Sequence, residues 1–277
     1  MPLELHIVSV GNSLIGHYAG RLEAPARPGM RDEGFWARLL ENPAELDKVY
    51  AFLEADPAAR SAEVRSLEFY LRAHGRRPSD VALYLIGTRT ASNEIVRTTL
   101  TRYFKTLGHE IYMPSGVPGY FGSPEVPAGE RPVDAFRRGM VELLHHLIDV
   151  AHQAQRTYRA VVFNATGGFK AHVIVVALAA FITGSPVYYV HEEFDDLIEF
   201  PALFYLPTAQ ELAFLKDHRT GPFSVTDCPD DCLRRWLDFG LVEWVPGDAT
   251  GTLLRLTPRA RALLKRMGDN TPSEALL

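Results

Sequence analysis

Apolar positions along this chain follow two rhythms. Leu5 to Val10, Val81 to Ile86, Ala160 to Phe163 and Val187 to Val190 are short, almost unbroken apolar runs rich in β-branched residues. Each is bounded by turn-forming residues, as strands buried on both faces are. Between them lie stretches with apolar residues at three- and four-residue spacing: Phe35 to Leu40, Ala44 to Leu53, Glu63 to Ala73, Ile95 to Leu107 and Val133 to Ala151. That spacing predicts helices with one buried face. Lys170 to Phe181 is apolar nearly all round, as a helix packed on a sheet and on a neighbour would be. Strands alternating with helices predict an α/β domain, a mainly parallel sheet wrapped on both faces.

The pattern changes after Leu206. Thr208 to Lys216 and Cys228 to Phe239 have helical spacing, the second with Thr226 or Asp227 as N-cap and Gly240 as its stop. Leu241 to Val245 and Thr252 to Leu256 read as two strands around Pro246-Gly247-Asp248, and Pro258 to Met267 as a closing basic helix. Helix, helix, hairpin, helix is a winged-helix-like order. Two domains are expected, residues 1–205 and 206–277.

Three of the predicted strands open into loops of Gly, Ser, Thr and Asn. In open α/β sheets, ligands sit outside the carboxyl ends of the strands, so these loops hold the candidate site. The most pointed is Asn164-Ala165-Thr166-Gly167-Gly168-Phe169-Lys170. Its glycines let backbone approach a ligand, the first turn of the following helix presents free N–H groups to an anion, and Lys170 adds a charge. The spacing is neither that of a Walker A loop nor that of a dinucleotide fingerprint. A plain strand-to-helix turn explains the glycines equally well. Gly11-Asn12-Ser13-Leu14 follows the first strand and offers an amide and a hydroxyl, although Asn12 or Ser13 also fits a helix N-cap; it is no nucleophile elbow. Gly87-Thr88-Arg89-Thr90-Ala91-Ser92-Asn93-Glu94 supplies hydroxyls and an arginine suited to phosphate or ribose, or else is a helix start capped by Ser92 or Asn93. Pro114 to Pro132 reads as a long loop covering or flanking the site.

Composition narrows the field. The 277 residues are 47% hydrophobic and 23% charged with a net charge of −5, a globular make-up that argues against coating duplex DNA but permits a small anion in one basic pocket. Cys228 and Cys232 lack a second pair, so neither a disulfide scaffold nor a zinc site is expected. The run His191-Glu192-Glu193-Phe194-Asp195-Asp196 offers carboxylates to a hard cation, but a solvated turn explains it as well. No metal or cofactor is expected. Glu4 and His6 interrupt the first apolar stretch, so no signal peptide is expected, and Val173 to Ile182 is about half of a membrane span. The expected location is the cytoplasm.

The Asn164-to-Lys170 motif, paired with Gly11-Asn12-Ser13-Leu14 and followed by Pro186-Val187-Tyr188-Tyr189-Val190 to Phe200-Pro201, resembles the CARF domains of CRISPR-associated proteins. It looks most like the ring nucleases and the sensor halves of the cyclic-oligoadenylate-activated ribonucleases, over residues 1 to about 205. The resemblance implies a Rossmann-like fold and a homodimer that binds cyclic oligoadenylate, cyclic tetra-adenylate foremost, on its two-fold axis. It makes Ser13 and Lys170 the catalytic pair. Gly11, Asn12, Thr88, Arg89, Thr90, Asn164, Thr166, Gly167, Gly168 and Phe169 become ligand contacts. The implied chemistry is metal-independent attack of a ribose 2′-OH on the adjacent phosphate, giving linear product with a 2′,3′-cyclic phosphate. No histidine sits in these motifs, so slow turnover is expected. Many relatives append a HEPN ribonuclease with an Arg-x4-6-His motif; after residue 206 the only histidine is His218, and no arginine precedes it at that spacing.

Two other readings follow from the same residues. The C-terminal segment offers Arg234, Arg235, Arg255, Arg259, Arg261, Lys265 and Arg266 as phosphate contacts for a ligand-controlled transcription regulator. Asp230, Asp231 and Asp238 beside the first two arginines oppose that role. A sensor that holds the ligand without cutting it is the other.

Overall fold

All four apolar runs become neighbouring strands of one sheet. The computed structural model describes residues 2–22, 28–29, 32–117, 129–191, 193, 196–200, 207–229, 232–248 and 251–268, in two compact units, Met1–Pro201 and Ala202–Leu277. In the first unit the strands are β1 (Glu4–Ser9), β2 (Val81–Ile86), β3 (Glu110–Tyr112), β4 (Ala160–Asn164), β5 (Val187–Val190) and β6 (Leu197–Phe200). The helices are α1 (Ser13–Ala19), α2 (Glu33–Leu40), α3 (Pro43–Ala55), α4 (Pro57–Arg60), α5 (Ala62–Ala73), α6 (Ala91–Thr106), α7 (Pro132–Ala154) and α8 (Lys170–Ile182).

The strand order is β3-β2-β1-β4-β5-β6, parallel from β3 to β5, with β6 antiparallel at the edge. The mixed α/β fold is therefore Rossmann-like, as expected. The chain starts at the centre with β1, works outward to β3, then returns to β4 on the other side of β1. That reversal opens a crevice at the carboxyl ends of β1 and β4, where ligands bind in such sheets. The two glycine loops leave the sheet at this switch point.

Both faces are covered. On one, Val8, Leu83 and Leu85 pack under Leu14, Trp36, Leu53, Val64, Leu100 and Phe104. On the other, Ile7, Ala82 and Phe163 pack under Leu143, Leu147, Val176 and Ala180 of α7 and α8. Strands enclosed in this way have no polar face to alternate with, which is why they read as apolar runs.

In the second unit α9 (Ala209–Asp217), α10 (Cys232–Asp238) and α11 (Pro258–Gly268) accompany β7 (Phe223–Ser224), β8 (Val242–Trp244) and β9 (Leu253–Leu256). The strands form an antiparallel sheet in the order β7-β9-β8 around fully buried Trp236. This order is winged-helix-like. Two details depart from the sequence reading. β7, only two residues long, is an added strand. The second helix is described from Cys232, and Val225–Asp227 forms a separate 3-10 turn capped by Ser224.

Candidate functional site

The two glycine loops meet backbone to backbone. A Cβ on Gly11 would lie 2.5 Å from the Gly168 nitrogen, and Gly168 itself holds φ +107°. Side chains at either position would push the loops apart. A Cβ on Gly167 would overlap the Glu63 carboxylate and the Ser9 carbonyl. So the glycines serve mutual approach of β1 and β4 loops, which a plain turn does not need.

α1 begins directly after the first loop. Asn12 stands at its N-cap, yet its side chain does not cap the helix. Its Nδ2 donates to Ser92 Oγ (3.3 Å), and its Oδ1 accepts from Asn93 Nδ2 (3.1 Å). Ser13 Oγ is buried and has no hydrogen-bond partner among the described residues. Local capping therefore accounts for neither residue. A buried hydroxyl without a partner at a strand-end crevice is a group waiting for a ligand or a water.

Gly87-Thr88-Arg89-Thr90 is joined to the same place. Thr90, not Ser92 or Asn93, caps α6, accepting from the Asn93 N–H (3.4 Å). Thr88 and Thr90 share a hydroxyl contact of 3.0 Å, and Thr90 and Ser92 one of 3.4 Å. Asn12, Ser92, Thr90 and Thr88 thus form a continuous chain of polar side chains. Arg89 is turned toward the start of the long loop, its Nε donating to the Gly116 carbonyl (3.1 Å). Thr88 bridges Val117. The described beginning of Pro114–Pro132 therefore flanks the candidate site; residues 118–128 lie outside the described residues.

In the third loop Asn164 is fully buried. Its Nδ2 donates to Ser66 Oγ (2.8 Å), and its Oδ1 accepts from the Thr166 N–H (3.0 Å). Asn164 shapes the turn. Thr166 Oγ1 accepts from the Val190 N–H (3.1 Å), tying the loop to β5. Phe169 and Lys170 are exposed at the head of α8, which starts without a side-chain cap. The N-terminal N–H groups of this 13-residue helix and the Lys170 ammonium give positive charge to the head of α8, where the third loop ends.

Three site-supporting residues lie outside the sequence motifs: Ser9, Glu63 and His172. Ser9 Oγ is buried without a partner among the described residues, directly under Gly168. Glu63 and Asn93 bind the first loop from two helices. His172 is the third residue of α8, 2% exposed, and burial pushes its imidazole down to about 4, so it is neutral at neutral pH. No local signal marks Ser9, Glu63 or His172, because what matters about each is what the fold places against it.

Among the described residues no three His, Cys, Asp or Glu side chains gather as metal ligands. Glu192, Phe194 and Asp195 of the acidic run lie outside the described residues. In the second unit two of the basic residues proposed for DNA face carboxylates: Arg235 pairs with buried Glu211 (2.9 Å) and Arg255 with Glu243 (2.7 Å). Among the described residues no helix is long and apolar enough to cross a membrane.

The site is polar, shaped by backbone, and positive where α8 begins. A family model described as CRISPR-associated protein (Cas_APE2256) matches residues 58–203, more than half of the chain. The match runs from α4 through β6 and includes the second and third loops; the Gly11-Asn12-Ser13 loop precedes it.

Proposed function

This chain belongs to the CRISPR-associated Cas_APE2256 family, and from that membership we propose that it is a ring nuclease, binding cyclic tetra-adenylate at a homodimer interface and cutting it. The observation that carries the reading is the meeting of Gly11-Asn12-Ser13 with Gly167-Gly168 at the β1/β4 switch, with Ser13 Oγ buried and unpartnered. A cyclic tetranucleotide has its own symmetry, so a two-fold pocket would read it with each residue used twice. Phe169, just before α8, and Ile174 and Leu178 on it are exposed apolar side chains. They offer the second protomer a face adjoining the ligand.

In the proposed reaction the ligand supplies its own nucleophile. A ribose 2′-oxygen bonds to the neighbouring phosphorus as the P–O5′ bond breaks. The 2′-proton leaves to solvent, and the 5′-oxygen takes one up. The ring opens to linear product with a 5′-hydroxyl and a 2′,3′-cyclic phosphate. Ser13 orients the ribose or phosphate, and holding the 2′-oxygen in line supplies much of the acceleration. Lys170 and the α8 N–H groups stabilise charge building on the phosphate. His172, neutral and 2% exposed, packs against Gly168. Slow turnover is expected of a site with no exposed acid–base pair at the phosphate.

The test is a single-turnover assay with radiolabelled cyclic tetra-adenylate in EDTA. Wild type is expected to give linear product with a cyclic phosphate end. Ser13→Ala and Lys170→Ala are each expected to slow it by about 100-fold, the scale of losing one oriented or charge-stabilising group. Tight binding with the ring left intact would replace this reading with that of a sensor. The winged-helix-like order of the second unit favours a regulator as the second reading. A duplex-binding titration against salt separates it from the first, since a regulator would lose affinity steeply as salt rises.

A further inference from the structure

We infer that Glu63 is the positioning residue that sets Ser13 against the glycine turn, through a buried contact with both loops. It rests on the proposed site but acts from beneath it. Glu63 is the second residue of α5 and is fully buried. Its Oε1 accepts the Gly11 N–H at 2.7 Å, across 52 residues of sequence. Its Oε2 accepts from Ser61 Oγ, also at 2.7 Å. Gly167 lies so close over the same carboxylate that a Cβ there would overlap Oε1. One side chain thus fixes the peptide before Asn12-Ser13 and forms the floor of the turn before Lys170.

The rest of α5 is arranged to hold that carboxylate still. Ser61 caps the helix, accepting from the Val64 N–H, and Ser66 Oγ donates to the Glu63 carbonyl while accepting from Asn164. An acid in the first turn is also favoured by the helix dipole, which offsets part of the cost of burying it. From the opposite side, Asn93 Nδ2 donates to the Val10 carbonyl (3.0 Å) and the Gly11 carbonyl (3.3 Å). Gly11 is therefore held at its N–H by Glu63 and at its C=O by Asn93. Glu63 is fully buried and bonds the backbone of Gly11, so it acts on Ser13 through that loop.

Binding and cutting should respond differently to the loss of this contact. Affinity for a polyanion comes from many phosphate contacts, whereas in-line attack tolerates little misplacement; about 1 Å costs roughly 100-fold. Glu63→Ala leaves the Gly11 N–H without its acceptor and is expected to slow single-turnover cleavage by about that factor, with less than a fivefold change in the dissociation constant of the ring. Glu63→Gln keeps an oxygen for Gly11, and the Ser61 hydroxyl turns to accept from the new amide. It is expected to restore the rate to within about threefold of wild type, since the geometry survives. Amide hydrogen exchange at Gly11, followed by NMR on ligand-free protein, supplies a second measurement. Glu63→Ala should speed exchange there by at least tenfold, and Glu63→Gln should not. The inference fails if Glu63→Ala cleaves at the wild-type rate, if Glu63→Gln is as impaired as Glu63→Ala, or if Gly11 exchange is unchanged by either. If wild type neither binds nor cuts the ring, the functional reading falls, and Gly11 exchange alone decides the role of Glu63.

Discussion

At the scale of residues, the glycines of the third loop can be told apart from glycines that merely turn a chain. Gly168 holds φ +107° and lies on the Ser9 side chain, and Gly167 lies on Glu63 and the Ser9 carbonyl. Gly16, inside α1, has nothing within 4 Å of where its Cβ would sit. Gly167→Ala and Gly168→Ala should each destabilise the protein by about 1–3 kcal/mol, from overpacking at the first and left-handed strain at the second. Gly16→Ala should be neutral or stabilising by up to about 1 kcal/mol, because alanine is the better helix former. Calorimetric melting of the three variants checks this; equal melting temperatures would show that the loops do not need their close approach. The close-packed glycines were legible in the sequence, because strand-to-helix loops of this composition carry their signal locally. Glu63 was not. A helix opening Ser61-Ala62-Glu63 reads as a capped start, and its reach to Gly11 exists only once β1 and α5 are neighbours.

Among the elements, α8 departs most usefully from its sequence pattern. It is apolar nearly all round, and Val176, Ala179 and Ala180 are buried as expected, but Ile174 is 68% exposed and Leu178 44%. These two lie one turn apart on the same side of the helix. In the proposed homodimer a second copy covers them, and the pocket is completed across that seam. Ile174→Asp with Leu178→Asp should then shift sedimentation from dimer to monomer and weaken ring binding by at least tenfold, while the melting temperature barely moves. A variant that stays dimeric would place the second copy elsewhere. The inner strands were legible because each runs apolar through a doubly covered sheet. β3 and β6 escaped notice as edge strands of three and four residues, β6 beside a run of acids that read as a turn. α1 was legible only as a helix start at Asn12 or Ser13, because its seven residues include Gly16 and begin in a polar loop.

Over the whole molecule, the order of elements predicted the α/β sheet and the winged-helix-like order, but not the polar groups that the core would enclose. The clearest case sits on β1, away from the candidate site. His6 Nδ1 meets Tyr188 Oη at 3.1 Å, its Nε2 lies 3.4 Å from Glu4, and Glu4 also accepts from Tyr70 (3.1 Å) and Arg76 (2.8 Å). Burial works to raise the Glu4 carboxyl, but hydrogen bonds from His6 and Arg76 outweigh it and hold the carboxyl at about 2. Burial pushes His6, His109 and His146 below the ordinary histidine value, and His172 down to about 4. The sign of the pH dependence follows. A histidine with a depressed folded value takes its proton first in the unfolded chain, so its contribution is whole above about pH 6.5 and is lost as pH falls toward the folded value. Glu4 contributes in the same direction at lower pH, whole above about 4.5 and lost toward about 2. Acid should therefore destabilise the protein in two stages, histidines first and Glu4 second. His172 alone should account for about 2 kcal/mol by pH 5, since it is buried and its value falls from 6.5 to about 4. Calorimetry at fixed ionic strength should show the melting temperature falling steadily from pH 7.5 to pH 5, and His172→Gln should flatten that slope by close to one proton, or about 1.4 kcal/mol per pH unit. A melting temperature that stays level across this range would mean that the buried histidines titrate alike in the folded and unfolded chain, and that the polar groups under the sheet are open to water.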